Sequence, residues 1–185
     1  MEKTKNPITV KQLCVAAIFT AITCVLAPIS LPVGIIPFSL GVFAVLLVGA
    51  VLPPRLALLS IGAYMLLGLV GLPVFSGYRT GLQVLAGPTG GFAITFPVMS
   101  WLVSLFSHKP RKALWLYMFC SMVVAIAICH TGGVIWYSLY AKVTLAEAFA
   151  VCSAPFILVD LAKAVLATAI GLVIRRILIR LNIQL

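Results

Sequence analysis

The chain has 185 residues, 63% of them hydrophobic and only 9% charged, and its mean hydropathy is +1.23. A soluble domain is nearer to about 45–50% apolar and about 25% charged, so lipid is the solvent for most of this sequence. The formal net charge of +10 would point to nucleic acid in a soluble protein. Here the basic residues fall in short segments between apolar runs, which is a topology signal and excludes a nucleic-acid reading.

At about 20 residues per crossing, the length holds six membrane helices with short connections. It leaves no room for a nucleotide-binding domain, and there is no Gly-rich P-loop pattern. The apolar runs place helices at about 11–27, 38–52, 55–72, 91–106, 113–131 and 154–179. The expected fold class is therefore an all-α integral membrane bundle of six transmembrane helices, a single membrane domain over 1–185.

The first segment carries Lys3, Lys5 and Lys11 against Glu2. The apolar run behind it is read as a membrane helix rather than a signal peptide: no small-x-small cleavage site precedes a polar mature chain, and more apolar runs follow. Ala17 and Ala21 stand four apart, a small-residue face that lets another helix approach closely in lipid. The same face would also serve packing inside the bundle, and both readings stand. A connection with Pro28, Pro32, Gly34 and Pro37 cannot continue a helix. Pro53-Pro54-Arg55 is a tight basic turn before the third helix.

The stretch from Leu72 to Gly91 is the least hydrophobic long connection. It carries Phe75, Tyr78 and Arg79, then Gly87-Pro-Thr-Gly-Gly91. Long ordered loops are usually functional; the plainer alternative is a re-entrant connector. The fourth helix is short and expected to kink near Pro97. A basic turn follows, in which His108 is read as a solvated loop residue. The fifth helix is expected to stop at His130, before Thr131-Gly-Gly133, so His130 is read as a helix-end residue.

Trp136-Tyr-Ser-Leu-Tyr140 is an aromatic cluster that suits a membrane–water interface, and would equally cover a ligand. Thr144-Leu-Ala-Glu147 is a capping box that opens a short amphipathic helix. The five cysteines show no CxxC spacing; four sit in or beside apolar runs, where a free Cys behaves as a small hydrophobe, and neither a disulfide framework nor a metal site is expected.

In the last span, Asp160 and Lys163 are the only charges in the run from Pro155 to Val173. A charge at membrane depth costs roughly 2.5–3.5 kcal/mol on insertion scales, so it is rare unless paired or used. Three residues apart on a helix, the two side chains share a face. They form either a self-neutralising structural pair or a polar ligand site.

Six spans put both termini on one side. That side carries Lys3, Lys5, Lys11, Arg55, Lys109, Arg111, Lys112, Arg175, Arg176 and Arg180; the other carries Arg79 and Lys142. The positive-inside rule makes the first side cytoplasmic. The Arg79 loop, the Trp136–Tyr140 cluster and the Pro28–Pro37 connection then gather outside, one to three helical turns above Asp160 and Lys163.

Pro37-Phe-Ser-Leu40, Tyr64, Gly68-Leu-Val-Gly-Leu-Pro-Val-Phe75, Gly81, Leu85-Ala-Gly-Pro-Thr-Gly-Gly-Phe92 and Pro155-Phe-Ile-Leu-Val-Asp-Leu-Ala-Lys163 together resemble the BioY family over nearly the whole chain. Its members are the biotin-binding substrate-capture (S) components of energy-coupling factor (ECF) transporters. Gly41 and Thr80 depart from the family's pattern, where a polar residue and a glycine are expected.

The resemblance implies a six-helix S-component fold with biotin near its outer face, and no enzymatic activity. It implies a membrane-embedded coupling subunit and two ATPase subunits as partners, or action alone or by self-association. No cofactor is expected in the chain itself, since any ATP is bound by the partner subunits. Ala17 and Ala21 match the family's docking motif.

The substrate-binding set expected from residues and resemblance is Asp160, Lys163, Arg79, Phe75, Tyr78, Thr89, Gly90, Gly91, Trp136 and Tyr140. Biotin's chemistry fits this set. Asp160 accepts ureido N–H groups, Lys163 donates to the ureido carbonyl or to the tail, and Arg79 caps the tail carboxylate. Phe75, Tyr78, Trp136 and Tyr140 cover the bicyclic ring. The competing reading is a self-sufficient secondary transporter for a small polar metabolite with Asp160 as a proton relay. An intramembrane enzyme fits least, with three carboxylates in the chain and no nucleophile motif.

Overall fold

The computed structural model describes residues 8–31, 36–108 and 113–181. Lys3, Lys5, Pro32, Gly34, Lys109, Arg111 and Lys112 of the sequence reading lie outside them. The described chain is helical apart from one short strand pair. In order it forms α1 (Val10–Leu26), β1 (Ser30–Leu31), β2 (Phe38–Ser39), α2 (Gly41–Val51), α3 (Pro54–Val70), α4 (Leu82–Ala86), α5 (Gly90–Ser107), α6 (Leu114–Ala141), α7 (Leu145–Cys152) and α8 (Ile157–Arg180).

Among the described residues three helices, α5, α6 and α8, are long and apolar enough to cross a membrane, with 18, 28 and 24 residues. At 1.5 Å per residue α6 is about 42 Å long. α1, α2 and α3 are apolar but shorter, at 17, 11 and 17 residues.

Local chemistry sets the ends. Thr9 caps α1 through a reciprocal box with Gln12. α3 begins with Pro54 in its first turn, where a missing N–H costs nothing. Gly71, at φ +118°, closes it in the left-handed conformation that favours glycine.

α2 is the centre of the bundle. Nine of its 11 residues are buried, and Val45, Leu46, Val48 and Val51 join one core with Met99 and Val103 of α5, Met118 and Met122 of α6, and Ala164 and Ala167 of α8. α8 buries Asp160, Lys163, Ala164, Ala167, Thr168 and Gly171, a 3–4 spaced stripe facing inward. Its other face shows Leu158, Val165, Leu166, Ile170 and Val173 outward, as a lipid-facing helix does.

The fifth helix differs from expectation. α6 does not stop at His130 but runs on to Ala141. Gly132 and Gly133 are packing notches rather than stop signals. A Cβ on Gly133 would lie 2.2 Å from the Phe92 ring, and one on Gly132 would lie 2.6 Å from Thr95 Cγ2. On the facing helix, a Cβ on Gly91 would meet Trp136 Cβ at 2.3 Å and the Gly132 carbonyl oxygen at 2.6 Å. Small residues on both helices let the backbones of α5 and α6 approach closely, which is how helices associate in lipid.

His108 also differs. It ends α5 half-buried rather than as a solvated loop residue, with Nδ1 3.1 Å from the Ser104 carbonyl and Nε2 3.2 Å from that of Val51.

Candidate functional site

The elements converge at one end of the bundle: the C-termini of α1 and α3, the N-termini of α2, α5 and α8, and the β1–β2 hairpin. A cavity of about 670 Å³, open mouth included, lies there. Its walls are mainly apolar, with Phe38, Tyr64, Phe75, Phe92, Phe96 and Phe156 supplying aromatic surface. A few polar groups converge inside: Ser39, Ser76, Thr89, His130, Asp160 and Lys163.

Asp160 and Lys163 sit at the start of α8, 5% and 6% exposed. Lys163 Nζ donates to Asp160 Oδ1 at 2.7 Å and to the Ser39 carbonyl at 2.7 Å. It also lies 4.0 Å from the centre of the Phe38 ring, where the face of the ring attracts a cation. The hairpin makes this possible. Ser30 pairs with Ser39 and Leu31 with Phe38, which holds the Ser39 carbonyl over the ammonium group.

The second carboxylate oxygen has its own partner. His130 Nε2 lies 3.2 Å from Asp160 Oδ2, and His130 Nδ1 lies 2.9 Å from Ser153 Oγ. The Phe92 ring meets the imidazole edge-on at 6.1 Å. Serine, histidine and aspartate in one chain have the composition of a hydrolytic triad. Ser153, however, is 0% exposed and does not line the cavity, so no substrate reaches its hydroxyl.

The loop after α3 builds the opposite wall. Phe75 is buried and meets Tyr64 edge-on at 5.7 Å. It lies against Gly68, where a Cβ would come within 2.4 Å of its ring; the glycine is the notch that admits Phe75. Gly77 N–H donates to the Pro28 carbonyl, tying this loop to the end of α1. Ser76 Oγ is buried and has no hydrogen-bond partner among the described residues, which is unusual for a buried polar atom.

Of the residues expected from the sequence, Asp160, Lys163, Phe75 and Thr89 line the cavity together. Arg79 is exposed and lines an adjoining cleft with Gln83 and Gly87; the two spaces share Val84 and Thr89. Arg79 therefore stands at the mouth. Tyr78 and Tyr140 are 67% and 54% exposed and do not line the cavity. Trp136, Gly90 and Gly91 lie behind the wall. Trp136 Nε1 donates to the Gly87 carbonyl at 2.9 Å and packs on both glycines, so its ring holds the 87–91 loop in place rather than covering the cavity.

The reading of His130 as a helix-end residue is corrected: it is buried inside α6 and takes part in the polar cluster. Ser39, Ser76, Phe92 and His130 join the cavity without being marked as site residues from the sequence. A signal for His130 exists in the 3–4 spacing of Met118, Ser121, Met122, Ala125, Ile126, Cys129, His130, Gly133, Val134 and Tyr137, the buried stripe of α6.

The profile of the BioY family matches residues 1–180. The chain is 37% identical over 171 residues to the biotin transporter BioY2 of Lactococcus lactis, covering 92% of this chain and 93% of that protein. It is 38% identical over 167 residues to the biotin transporter BioY of Thermotoga maritima, covering 90% and 97%. Its fold is similar to the crystal structure of the S-component for biotin from an ECF-type ABC transporter, with a TM-score of 0.83 at 25% identity over 95% of each chain.

Proposed function

The chain belongs to the BioY family, and from that premise we propose that it is the high-affinity, biotin-binding capture component of a vitamin-uptake transporter in a cell membrane. The observation that carries this reading is the cavity itself: a largely apolar chamber with a buried, hydrogen-bonded Asp160–Lys163 pair on its wall. Biotin offers the complement, with two ureido N–H donors, one ureido carbonyl, an apolar thioether ring and a carboxylate tail. Asp160 accepts a ureido N–H, and Lys163 donates to the ureido carbonyl. Phe38, Tyr64, Phe75, Phe92 and Phe156 enclose the bicyclic ring. Ser76 Oγ and Thr89 supply polar contacts on the wall. Arg79, at the mouth, meets the tail carboxylate.

In this reading α1, α2, α3, α5, α6 and α8 form six spans, and α4 and α7 lie at the outer surface. Both termini are cytoplasmic, on the side of Arg55, Arg175, Arg176 and Arg180. The energising partners are an ECF coupling subunit and two ATPase subunits, which bind the ATP. Ala17 and Ala21, both exposed on α1, are the face on which the coupling subunit docks.

The test is titration of the purified protein in detergent, followed by tryptophan fluorescence and calorimetry. Saturable one-to-one binding of biotin, with no response to thiamine or riboflavin, is the expected result. Absence of saturable biotin binding by folded protein overturns the proposal.

A further inference from the structure

A carboxylate has two oxygens and about four acceptor sites. In this cavity each oxygen of Asp160 is held by a different donor on a different helix: Oδ1 by Lys163 Nζ of α8 at 2.7 Å, Oδ2 by His130 Nε2 of α6 at 3.2 Å. Two acceptor sites are left for a ligand. The terminal torsion of an aspartate is broad and roughly two-fold. One donor would therefore leave the plane of the carboxylate loosely set, whereas two donors on opposite oxygens define it. A hydrogen bond weakens steeply as its angle closes below about 120°, so the orientation of that plane decides how well a ligand N–H is received.

The imidazole is itself held. Ser153, fully buried at the turn before α8, has its hydroxyl 2.9 Å from Nδ1. When that hydroxyl donates, Nδ1 is the acceptor and Nε2 carries the hydrogen that faces Asp160. The edge-on Phe92 ring restricts the imidazole from a third side.

We propose that His130 is a positioning residue for substrate: with Ser153 fixing its tautomer, it sets the Asp160 carboxylate in the plane that receives a ligand N–H donor, and so helps determine specificity for ureido-type ligands. This rests on the reading of Asp160 as the ligand's acceptor. His130 acts through Asp160, so its effect on binding depends on that carboxylate being present. A histidine that merely packs between α6 and α8 lowers stability without that dependence.

The experiment measures biotin affinity and unfolding temperature for the purified full-length protein and for His130→Leu, His130→Gln, Ser153→Ala, Asp160→Asn, and His130→Leu combined with Asp160→Asn. His130→Leu is expected to weaken biotin binding roughly ten-fold or more, the scale of a hydrogen bond to a charged group. On top of Asp160→Asn it is expected to add less than about three-fold, because coupled residues are not additive. His130→Gln, whose amide places an N–H near the position of Nε2, is expected to recover much of the loss. Ser153→Ala is expected to cost a few-fold.

Equal fold-losses from His130→Leu in both backgrounds, or no loss in either, overturn the inference. If His130→Leu does not fold, Ser153→Ala and His130→Gln decide: native affinity in folded Ser153→Ala together with a loss of roughly ten-fold or more in folded His130→Gln overturns it. If the unsubstituted protein does not bind biotin, the functional reading fails first and takes this inference with it; if Asp160→Asn binds biotin as well as the native chain, the reading of Asp160 as the ligand's acceptor fails, and this inference with it, while biotin capture stands.

Discussion

Replacing Asp160 with Leu together with Lys163 with Met separates a ligand site from a structural ion pair. The two groups are 2.7 Å apart and each is about 5% exposed. Removing one partner of such a pair strands a buried charge and costs about 3–5 kcal/mol of stability, whereas replacing both by apolar residues of similar volume is often neutral or better. The surroundings here modify that rule. The double substitution leaves the Ser39 carbonyl and the Nε2–H of His130 without their present partners. Each orphaned buried group costs about 1–3 kcal/mol. The double variant is therefore expected to be less stable than the native chain yet no worse than either single change, read from thermal unfolding in detergent. Binding is expected to behave differently. Asp160→Asn alone loses a charged hydrogen bond of about 1.5–3 kcal/mol, so biotin affinity falls roughly ten- to a hundred-fold, and the double variant falls at least as far. If the double variant is folded and binds biotin with near-native affinity, the pair only holds the bundle together and the ligand lies elsewhere.

With native cysteines replaced, an impermeant thiol reagent applied to intact cells is expected to label Leu82→Cys, exposed at the start of α4, and to spare Arg55→Cys; the reverse pattern refutes the proposed orientation. Ala17→Trp or Ala21→Trp is expected to reduce co-purification with a coupling subunit and transport while leaving biotin affinity near native. Loss of binding with intact assembly is the contrary result. Gly91→Ala is expected to lower the unfolding temperature, because its Cβ would meet Trp136 Cβ and the Gly132 carbonyl, and overpacking of this kind typically costs about 1–3 kcal/mol. Hydrogen bonds from the Thr144 N–H and hydroxyl hold the exposed carboxyl of Glu147 below its ordinary pKa. The unfolded segment thus takes up the proton first as pH falls. The cap's contribution is whole above the ordinary range near pH ~4.3 and is lost as pH drops through the folded value. Amide exchange in 145–148 is expected to speed up over that acid range in the native chain and to be independent of pH there in Glu147→Gln, once corrected for intrinsic exchange.

The apolar runs and the Thr144–Glu147 cap were legible because their causes are local. Thr144 and Glu147 announce a helix start through their own side chains, and both hydrogen bonds of the box form. The pair Asp160 and Lys163 was legible because one helix turn carries both. The end of α6 was not legible, since Thr131-Gly132-Gly133 reads as a stop unless the partner helix is known. Only the juxtaposition of Phe92 and Thr95 with Gly132 and Gly133 turns those glycines into contact surfaces. Trp136 shows the same limit. Its aromatic character fits a ligand cover as well as a membrane interface, and what assigns its ring is the Gly87 carbonyl 2.9 Å away, 49 residues earlier in the chain.

The polar cluster follows the same logic one step further. A D-x-x-K step on one helix explains the attraction between two charges, but not why both can stay buried. Their solvation is supplied from elsewhere: the Ser39 carbonyl and the Phe38 ring by the short strand β2, and the His130 imidazole by the neighbouring helix α6. The Gly91, Gly132 and Gly133 notches and the polar site are thus linked mechanically. Close approach of α5 to α6 puts Phe92 against His130, and α6 sets His130 against Asp160. A residue that does not line the cavity, such as Gly133, is then tied through Phe92 and His130 to the orientation of the Asp160 carboxylate.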